Sequence, residues 1–269
     1  MLIDLAESTR EQLEADVAII GAGAAGITVA RRLLADGKTV ILLESGGLDH
    51  EPASADLNAG QSFGQPYYDL DKARLRFFGG TTAIWGGRCA ELDPIDFEHR
   101  PWVEHSGWPF GIDELRPFYA AARQALDLPL SNPTEVEGTD LFDAISPEEL
   151  AVRYWLFDRK FDRFGLVANR AMIADPRLTA ITHATVREIV PDESGQTIDR
   201  LEVRGRGNRR LVVRAKVYVL AAGGIENPRL LLASNSVAKQ GIGNEHDLVG
   251  RFFMEHPHAR GGRLVGARL

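Results

Sequence analysis

Cysteine is almost absent from this 269-residue sequence, which contains only Cys89. A single cysteine excludes an internal disulfide and any zinc site built from several cysteines. Long apolar runs are also lacking, since no uninterrupted stretch approaches the ~20 residues that a membrane-spanning helix needs. Residues 1–16 carry acidic side chains where a secretory signal peptide has basic residues followed by an apolar stretch. These absences predict a cytoplasmic protein without a transmembrane segment.

An excess of positive charge is lacking as well. The formal net charge is −7 and the isoelectric point is about 5.6, and acidic and basic residues are mixed along the chain. No basic stripe is therefore available for a nucleic-acid backbone. Hydrophobic residues make up 44% of the sequence, which is enough for a folded core. We expect a globular protein of one large or two interleaved domains that does not bind nucleic acid.

The segment from residue 17 to residue 44 has the pattern of a strand–helix–strand unit. VAII at 17–20 and TVILLE at 39–44 are apolar runs typical of buried strands. Between them, AAGITVARRLLAD at 24–36 places apolar residues along one helical face, and Gly37 follows as a stop signal. This order predicts two parallel strands joined by a right-handed helical crossover, so the predicted fold class is α/β.

A glycine motif occupies the turn between the first strand and the helix. Gly21, Gly23 and Gly26 form the pattern G-x-G-x-x-G, which permits a tight turn, close approach of a pyrophosphate, and close helix–strand packing. Glu44 ends the second strand, where a carboxylate accepts hydrogen bonds from both hydroxyls of an adenosine ribose. The combination predicts a dinucleotide site that disfavours NADP. An ordinary turn with a surface glutamate is the alternative.

The remaining segments have less regular patterns. Apolar periodicity and turn residues are the signals used for each of them. The predicted elements are a short polar helix or lead-in over residues 3–14, a surface excursion over 46–76, an amphipathic helix over 112–126, antiparallel strands over 181–214, a buried strand over 217–224, and a helix that opens with Asn227 and Pro228.

Two later segments are also rich in small residues. FFGGTTAIWGG at 77–87 has four glycines around two threonines and a tryptophan, and VYVLAAGG at 217–224 ends almost without side-chain bulk. Glycine is retained where the chain needs positive φ or where another group touches the main chain. FAD and NAD both satisfy the strand–helix–strand unit, but a plain nicotinamide dehydrogenase has less need of a second and third segment of this kind.

The chain resembles the glucose–methanol–choline (GMC) family of FAD-dependent oxidoreductases. The matching segments occur in family order and cover most of residues 16–258: VAIIGAGAAGITVARRLLADGKTVILLESGG, FFGGTTAIWGG, GWPFGIDELRPFY, VYVLAAGGIENPRLLLAS and LVGRFFMEHPH. The resemblance implies an FAD-binding Rossmann-like fold of the glutathione-reductase type. This fold has a parallel sheet, an antiparallel β-meander and an interleaved substrate domain, which would be incomplete here. LDPIDFE followed by GWPFGIDELRPFY most resembles the sugar-oxidising branch.

The resemblance also implies a division into domains. Residues 1–50 and 166–240 would form the two parts of the FAD-binding domain. Residues 51–165 would supply flavin-covering loops and a helical insertion that belongs to the substrate domain, and residues 241–269 would begin the rest of that domain.

The same resemblance implies which residues bind FAD. The glycines of segment 77–87 would let the main chain lie along the flavin and its pyrophosphate, and Trp85 to Gly87 would pass beside the isoalloxazine. Val186 matches the position whose main-chain groups recognise adenine in related flavoproteins. The implied cofactor-binding residues are Gly21, Ala22, Gly23, Ala25, Gly26, Glu44, Ser45, Gly79, Gly80, Thr81, Thr82, Trp85, Gly86, Gly87, Val186, Ala221, Ala222 and Gly223.

Some members of the sugar-oxidising branch join FAD covalently to a histidine in segment 77–87. Ile84 stands at the matching position, so non-covalent FAD is expected. Trp85 has an alternative role as a core anchor in a tight turn. Cys89 is expected to be a small packing residue.

The histidines and the residues near Asn227 carry no clear chemistry. His256 and His258 lie two apart in MEHPH, but nothing nearby supplies a third ligand, so no metal is expected and a structural or cavity-lining role is favoured. Glu226 and Asn227 are expected to cap the following helix.

The family reaction is oxidation of an alcohol by hydride transfer to flavin N5, with a histidine base that lies far toward the C-terminus. That base, and hence the catalytic residues, are expected C-terminal to Leu269. The chain is expected to be a fragment or to be completed by a separate polypeptide. Its partners would be a small alcohol or sugar substrate and an electron acceptor such as oxygen, a quinone or a cytochrome. A catalytically incomplete FAD-binding subunit or truncated product, and an NAD-dependent dehydrogenase, are the alternatives.

Overall fold

The computed structural model describes residues 1–130 and 155–256. The chain divides into two compact units, with its first and last parts in one unit and residues 79–169 in the other. Residues 51–78 lie with the first unit in this division. The predicted domains were drawn by function rather than by compactness, and that assignment stays a prediction.

Helices and short strands alternate at the start of the described chain, and longer strands dominate its last third. In chain order the elements are β1 (Leu2–Asp4), β2 (Gln12–Ile20), α1 (Ala24–Ala35), β3 (Val40–Leu43), α2 (Pro52–Ala55), β4 (Arg88–Cys89), α3 (Pro94–Phe97), α4 (Ile112–Ala125), β5 (Leu156–Phe157), α5 (Arg170–Ala174), β6 (Leu178–Thr182), β7 (Thr185–Pro191), β8 (Ile198–Arg204), β9 (Arg210–Leu220) and α6 (Glu226–Ala233).

A seven-stranded sheet forms the centre of the first unit, in the order β1-β6-β3-β2-β9-β8-β7. The strands from β1 to β9 in that order pair in parallel, whereas β9, β8 and β7 pair antiparallel. The predicted α/β fold, with a parallel sheet followed by an antiparallel meander, is confirmed.

The predicted strand–helix–strand unit is confirmed as β2, α1 and β3. All four residues of β3 and the last four of β2 are buried, because these two strands lie inside the sheet and are covered on both faces. Ile27, Ala30 and Leu34 form the buried face of α1. Gly37, at φ +77°, ends the helix in the left-handed region that glycine tolerates.

The prediction of a polar helix or lead-in over residues 3–14 is wrong. β1 pairs with β6, and Gln12 begins β2 opposite Val212 of β9. The start of β2 alternates between exposed and half-buried residues, so its polar side chains belong to a strand with one solvated face.

The predicted antiparallel strands over 181–214 are confirmed only in part. Ile181 and Thr182 end β6, which runs parallel to β3. The two segments RRLVVRA and VYVL form one strand, β9, which pairs antiparallel with β8 in its first half and parallel with β2 along most of its length. Its end was predicted to be buried, but Val217 is 52% exposed and the last three residues of the strand are only half-buried.

The predicted surface excursion over 46–76 contains structured and buried residues. It includes α2, and the side chains of Ser54 and Asn58 are buried. Asn58 Nδ2 donates to the carbonyl of Arg74 at 3.1 Å. This bond joins the first half of the segment to its end. Buried polar contacts of this kind give no apolar periodicity, so the sequence pattern did not reveal them.

The second unit contains α3, α4 and a two-stranded antiparallel ladder of β4 and β5. The amphipathic helix predicted over 112–126 is confirmed as α4. Arg163 holds the buried Asp158 through Nε–Oδ2 and Nη2–Oδ1 contacts of 2.6 and 3.0 Å. Within residues 1–130 and 155–256, no helix has the length and apolarity needed to cross a membrane.

Tyr218 fastens β9 to β8, and its removal tests the sheet. Its hydroxyl accepts the N–H of Ala215 and donates to the carbonyl of Asp199, both at 2.9 Å. Tyr218→Phe is expected to lower the free energy of unfolding by about 1–3 kcal/mol, because two backbone groups lose a partner. Urea denaturation measures this change. Tyr68→Phe, at a side chain that is 62% exposed, is the control, and an equal loss in both variants would contradict the assignment.

Candidate functional site

The turn at Gly21 brings the ends of three strands together. The N–H of Gly21 donates to the carbonyl of Leu43 in β3, and the N–H of Ala221 donates to the carbonyl of Ile20 in β2, both at 2.8 Å. Gly21 has φ +103°, and a Cβ on it would lie 2.6 Å from the carbonyl oxygen of Ala221. Glycine is therefore required here by the fold. The carboxyl ends of parallel strands form the edge at which α/β proteins bind nucleotides.

Gly26 and Gly23 differ in what surrounds them. A Cβ on Gly26 would overlap the carbonyl oxygen of Gly21, whereas a Cβ on Gly23 would meet no atom within 4 Å. Gly23 also has φ −83°, which any residue adopts. The fold therefore requires glycine at 26 but not at 23, where a side chain would fill the space beside the start of α1.

The N-terminus of α1 has no side-chain cap. Gly23 is the N-cap residue, and the first turn of the helix contains no acidic residue. The first backbone N–H groups of a helix lack intrahelical partners and carry a partial positive charge. Ala25 is exposed in this first turn. An uncapped helix start beside an open glycine fits a pyrophosphate.

Glu44 lies at the end of β3 and is only 7% exposed. Its Oε2 accepts the N–H of Ala22 at 3.0 Å, and its Oε1 accepts the N–H of Gly46 at 2.9 Å. Burial raises the pKa of this carboxyl, and the two backbone N–H groups and Arg76 oppose the rise. A carboxylate has about four lone-pair positions, so two protein bonds leave positions for ribose hydroxyls.

Ser45 and Val186 line one cleft, which has a volume of about 570 Å³. Ser45 Oγ and Thr185 Oγ1 lie 2.7 Å apart, so the residue after Glu44 is joined to the start of β7. Val186 is buried and belongs to the same core cluster as Ile20. The two segments predicted to contact adenosine therefore lie together.

The first unit thus brings many of the predicted site residues to one edge of its sheet. Gly223, at φ +91°, continues β9 beyond this edge, and a Cβ on it would meet no atom within 4 Å. The predicted residues in this unit are Gly21, Ala22, Gly23, Ala25, Gly26, Glu44, Ser45, Val186, Ala221, Ala222 and Gly223.

The other predicted site residues, Gly79 to Thr82 and Trp85 to Gly87, lie in the second unit. Gly79 has φ +101° and precedes a 3-10 helix over Gly80–Ala83. Thr82 Oγ1 donates to the carbonyl of Gly79 at 2.7 Å. Thr81 is exposed. The hydrogen bond from Thr82 therefore stabilises the turn at Gly79.

Gly87 and Gly86 differ in the same way as Gly26 and Gly23. A Cβ on Gly87 would overlap the carbonyl oxygen of Asp158, whereas a Cβ on Gly86 would meet no atom within 4 Å. Trp85 is half-buried. Cys89 is also half-buried, and its Sγ donates to the carbonyl of Gly87 at 3.3 Å.

An arginine cluster around Glu226 was not found from the sequence. Glu226 is 6% exposed, and its carboxylate binds Arg74 at 2.7 Å, Arg229 at 2.8 Å and Arg76 at 3.2 Å. Burial by itself would raise the pKa of Glu226, but the arginines outweigh it and the pKa is lowered. Residues 74 and 76 are far from 226 in the chain, so no local signal could have identified this contact.

The prediction that Glu226 and Asn227 cap α6 is wrong. The helix begins at Glu226 and has no side-chain cap. Asn227 Oδ1 instead accepts the N–H of Ala222 at 2.9 Å, which fixes the residues that follow β9. Asn227 thus supports the strand end rather than the helix.

Gly46 was also missed, although the two glycines that follow Glu44 and Ser45 are a readable signal. A Cβ on Gly46 would overlap the carbonyl oxygen of Arg76. His256 is exposed, and His258 lies outside the described residues. Among residues 1–130 and 155–256, no group of three or more His, Cys, Asp and Glu is placed to hold a metal ion.

A family model described as FAD dependent oxidoreductase matches residues 16–239. The chain belongs to this family. FAD is therefore its cofactor. The open space at Gly23, the uncapped start of α1 and the carboxylate of Glu44 fit this cofactor. The homologues of the chain are GMC oxidoreductases, so the predicted resemblance is confirmed.

Two curated relatives show the extent of the similarity. Paromamine 6′-oxidase of Streptomyces fradiae is 28% identical over 88% of this chain and 52% of its own length. The fructose dehydrogenase large subunit of Gluconobacter japonicus is 25% identical over 93% of this chain and 60% of its own length. The chain therefore spans about half of these relatives.

Solved structures show the same fold. Pyridoxine 4-oxidase from Mesorbium loti aligns with a TM-score of 0.54 and 24% sequence identity. The alignment covers 81% of this chain and 51% of that structure. The strands and helices of this chain are therefore arranged as in a solved oxidase structure of similar fold.

Gly26→Ala and Gly23→Ala form a matched pair for stability. Gly26→Ala is expected to lower the free energy of unfolding by about 3 kcal/mol or more, because the new methyl group displaces α1 from the turn. Gly23→Ala is expected to change it by less than about 1 kcal/mol, because its methyl group meets open space. Urea denaturation compares the two variants. Equal losses would contradict the different packing of the two glycines.

The raised pKa of Glu44 predicts a pH dependence of stability. The unfolded chain loses this proton near the ordinary value of 4.5, while the folded chain keeps it to higher pH. The contribution of Glu44 is therefore fully present below pH 4.5 and is lost as the pH rises through the folded-state pKa. The free energy of unfolding of the unmodified chain minus that of Glu44→Gln should fall over this range. A difference that stays constant or rises would contradict the direction.

Proposed function

We propose that this chain forms the FAD-binding part of an oxidoreductase that oxidises a hydroxyl group of an alcohol, a sugar or a glycoside. The observation that carries the proposal is the open Gly23 at an uncapped helix start beside the buried Glu44, within a chain of the FAD-dependent family. Two relatives are named for hydroxyl-bearing compounds: the fructose dehydrogenase large subunit and 2-methyl-1,2-propanediol dehydrogenase of Mycolicibacterium austroafricanum. Oxidation of a hydroxyl is proposed for the whole protein, and FAD binding for this part of it.

In the first unit, we assign one role to each part of the site. The N–H groups at the start of α1 bind the pyrophosphate, and the space at Gly23 lets it approach. Glu44 accepts hydrogen bonds from the ribose, and the main chain at Val186 binds adenine. The strand end from Ala221 to Gly223 presents main chain without bulky side chains.

In the second unit, we assign the backbone from Gly79 to Thr82 and from Trp85 to Gly87 to the flavin end of the cofactor. Gly86 supports this role, because neither contacts with neighbouring atoms nor a left-handed backbone conformation requires glycine there. When bound, FAD supplies a hydride acceptor at flavin N5. The residues of this chain would hold the cofactor in place and exclude water from it.

A complementing subunit or a separate electron acceptor is part of the proposal. The name of the Gluconobacter japonicus relative contains the term "large subunit", which supports a complementing subunit. An FAD-binding subunit that acts only by association is the second candidate, favoured by the partial coverage of every relative described above. Bleaching of the flavin by an alcohol or a sugar, measured in the whole protein, separates the two candidates, because only the first predicts that the cofactor is reduced.

FAD binding and its dependence on Gly23 test the proposal. The chain mixed with FAD should show a bound flavin absorption at about 450 nm, and Gly23→Ala should weaken FAD binding at least about tenfold, because its methyl group occupies the space of the pyrophosphate. Gly111→Ala is the matched control: Gly111 is the N-cap of α4, with φ −99° and no atom within 4 Å of a Cβ. Fluorescence titration measures both affinities.

Heat denaturation should release the flavin into solution, because Ile84 offers no nucleophile for a covalent bond. Flavin that stays with the precipitated chain would contradict non-covalent binding. Equal weakening by Gly23→Ala and Gly111→Ala would contradict the placement of the pyrophosphate. Tight binding of NAD without FAD would overturn the proposed function.

A further inference from the structure

The cleft beside Ser45 and Val186 is lined by many arginines. Of the residues that the structure describes, none that lines it is an aspartate or a glutamate. The formal net charge of the chain is −7, so this local excess of positive charge does not follow from composition. Its five lining arginines are Arg76, Arg187, Arg204, Arg206 and Arg229.

Three of these arginines form ion pairs with acids next to the cleft. Arg76 and Arg229 share the carboxylate of Glu226, which also binds Arg74. Arg206 Nη2 lies 2.5 Å from Glu51 Oε2. These ion pairs account for part of the positive charge and hold the walls of the cleft in place.

Arg187 and Arg204 are different, because no acid within residues 1–130 and 155–256 pairs with either of them. The two lie on neighbouring strands: Arg204 is opposite Thr185, and Arg187 follows Val186 where the register of β7 shifts. Arg187 is exposed. Arg204 Nη1 is buried and has no hydrogen-bond partner in the described part of the chain.

A buried guanidinium N–H without an acceptor is costly, and native proteins seldom leave one unsatisfied. The adenosine end of FAD carries no charge, since the negative charge of the cofactor lies on its pyrophosphate. The start of α1 already supplies N–H groups for that pyrophosphate. Neutral adenosine near Ser45 and Val186 would therefore leave Arg187 and Arg204 without a counter-charge.

We propose that Arg187 and Arg204 form a subsite for a phosphate group, separate from the pyrophosphate position at α1. Guanidinium groups present paired N–H donors that match phosphate oxygens. The ligand is either inorganic phosphate or the phosphate of a nucleotide that binds in addition to FAD. The inference goes beyond the proposed function, because FAD binding and oxidation do not require this subsite.

Calorimetric titration of the full chain with inorganic phosphate tests the proposal, with and without saturating FAD and at constant ionic strength. Saturable binding is expected in both conditions. The double variant Arg187→Gln, Arg204→Gln should weaken it at least about tenfold, as expected for loss of charge-assisted hydrogen bonds. Arg209→Gln is the control, since Arg209 is exposed next to the same hairpin and does not line the cleft.

Three results would overturn the subsite. These are no saturable binding, equal weakening by Arg209→Gln, and loss of phosphate binding when FAD is added, which would place the anion at α1. Circular dichroism checks that the variants fold. Because Arg187 is exposed, Arg187→Gln alone carries the test if the double variant does not fold, with a smaller but still selective loss expected.

Adenosine monophosphate and adenosine distinguish the two sources of phosphate. With FAD bound, a nucleotide ligand predicts that the monophosphate binds more tightly than inorganic phosphate, that adenosine binds far more weakly, and that the double variant loses the difference. Equal affinities for inorganic phosphate and the monophosphate indicate the free ion. Equal binding of adenosine and its monophosphate would contradict a phosphate subsite.

Discussion

The close packing of α1 against the turn at Gly21 is the constraint on which the rest of the site depends. Gly26 has to be without a side chain because it faces the carbonyl of Gly21, and Gly21 has to be without one because it faces Ala221. These two contacts bring the start of α1 and the ends of β2 and β9 into one place. Because neither glycine has a side chain, the start of α1 packs directly against the turn and the strand ends.

The same packing aligns the polar groups of the site. The N–H of Ala22, in the turn, donates to the carboxylate of Glu44 at the end of β3. The turn therefore fixes the position of this carboxylate. The N–H of Gly46 donates to the other oxygen of the Glu44 carboxylate. Because Gly46 has no Cβ, the main chain of Arg76 can pack against it. Burial raises the pKa of this carboxyl, whereas hydrogen bonding and the nearby positive charge of Arg76 oppose the rise. Under the proposed function, its remaining lone pairs would accept hydrogen bonds from the ribose of FAD.

Local signals in the sequence were enough to predict β2, α1 and β3, because glycine spacing and apolar periodicity act within a few residues. They also predicted the family, since several such segments occur in order. They failed at residues 3–14, where a strand with one solvated face has the composition of a polar helix. They also failed at Glu226, since its partners Arg74 and Arg76 lie about 150 residues earlier in the chain. Contacts between distant segments depend on the completed fold, and no local pattern encodes them.

Hydrogen–deuterium exchange with and without FAD tests most directly whether one sheet edge, built by the packing at Gly21, holds the cofactor. Slower amide exchange on FAD binding is expected at residues 21–27 and 44–47. Exchange in the turn between β7 and β8, at residues 192–197, should stay unchanged. Unaltered exchange at 21–27 and 44–47 in a chain that binds FAD would contradict the placement of the cofactor at this edge.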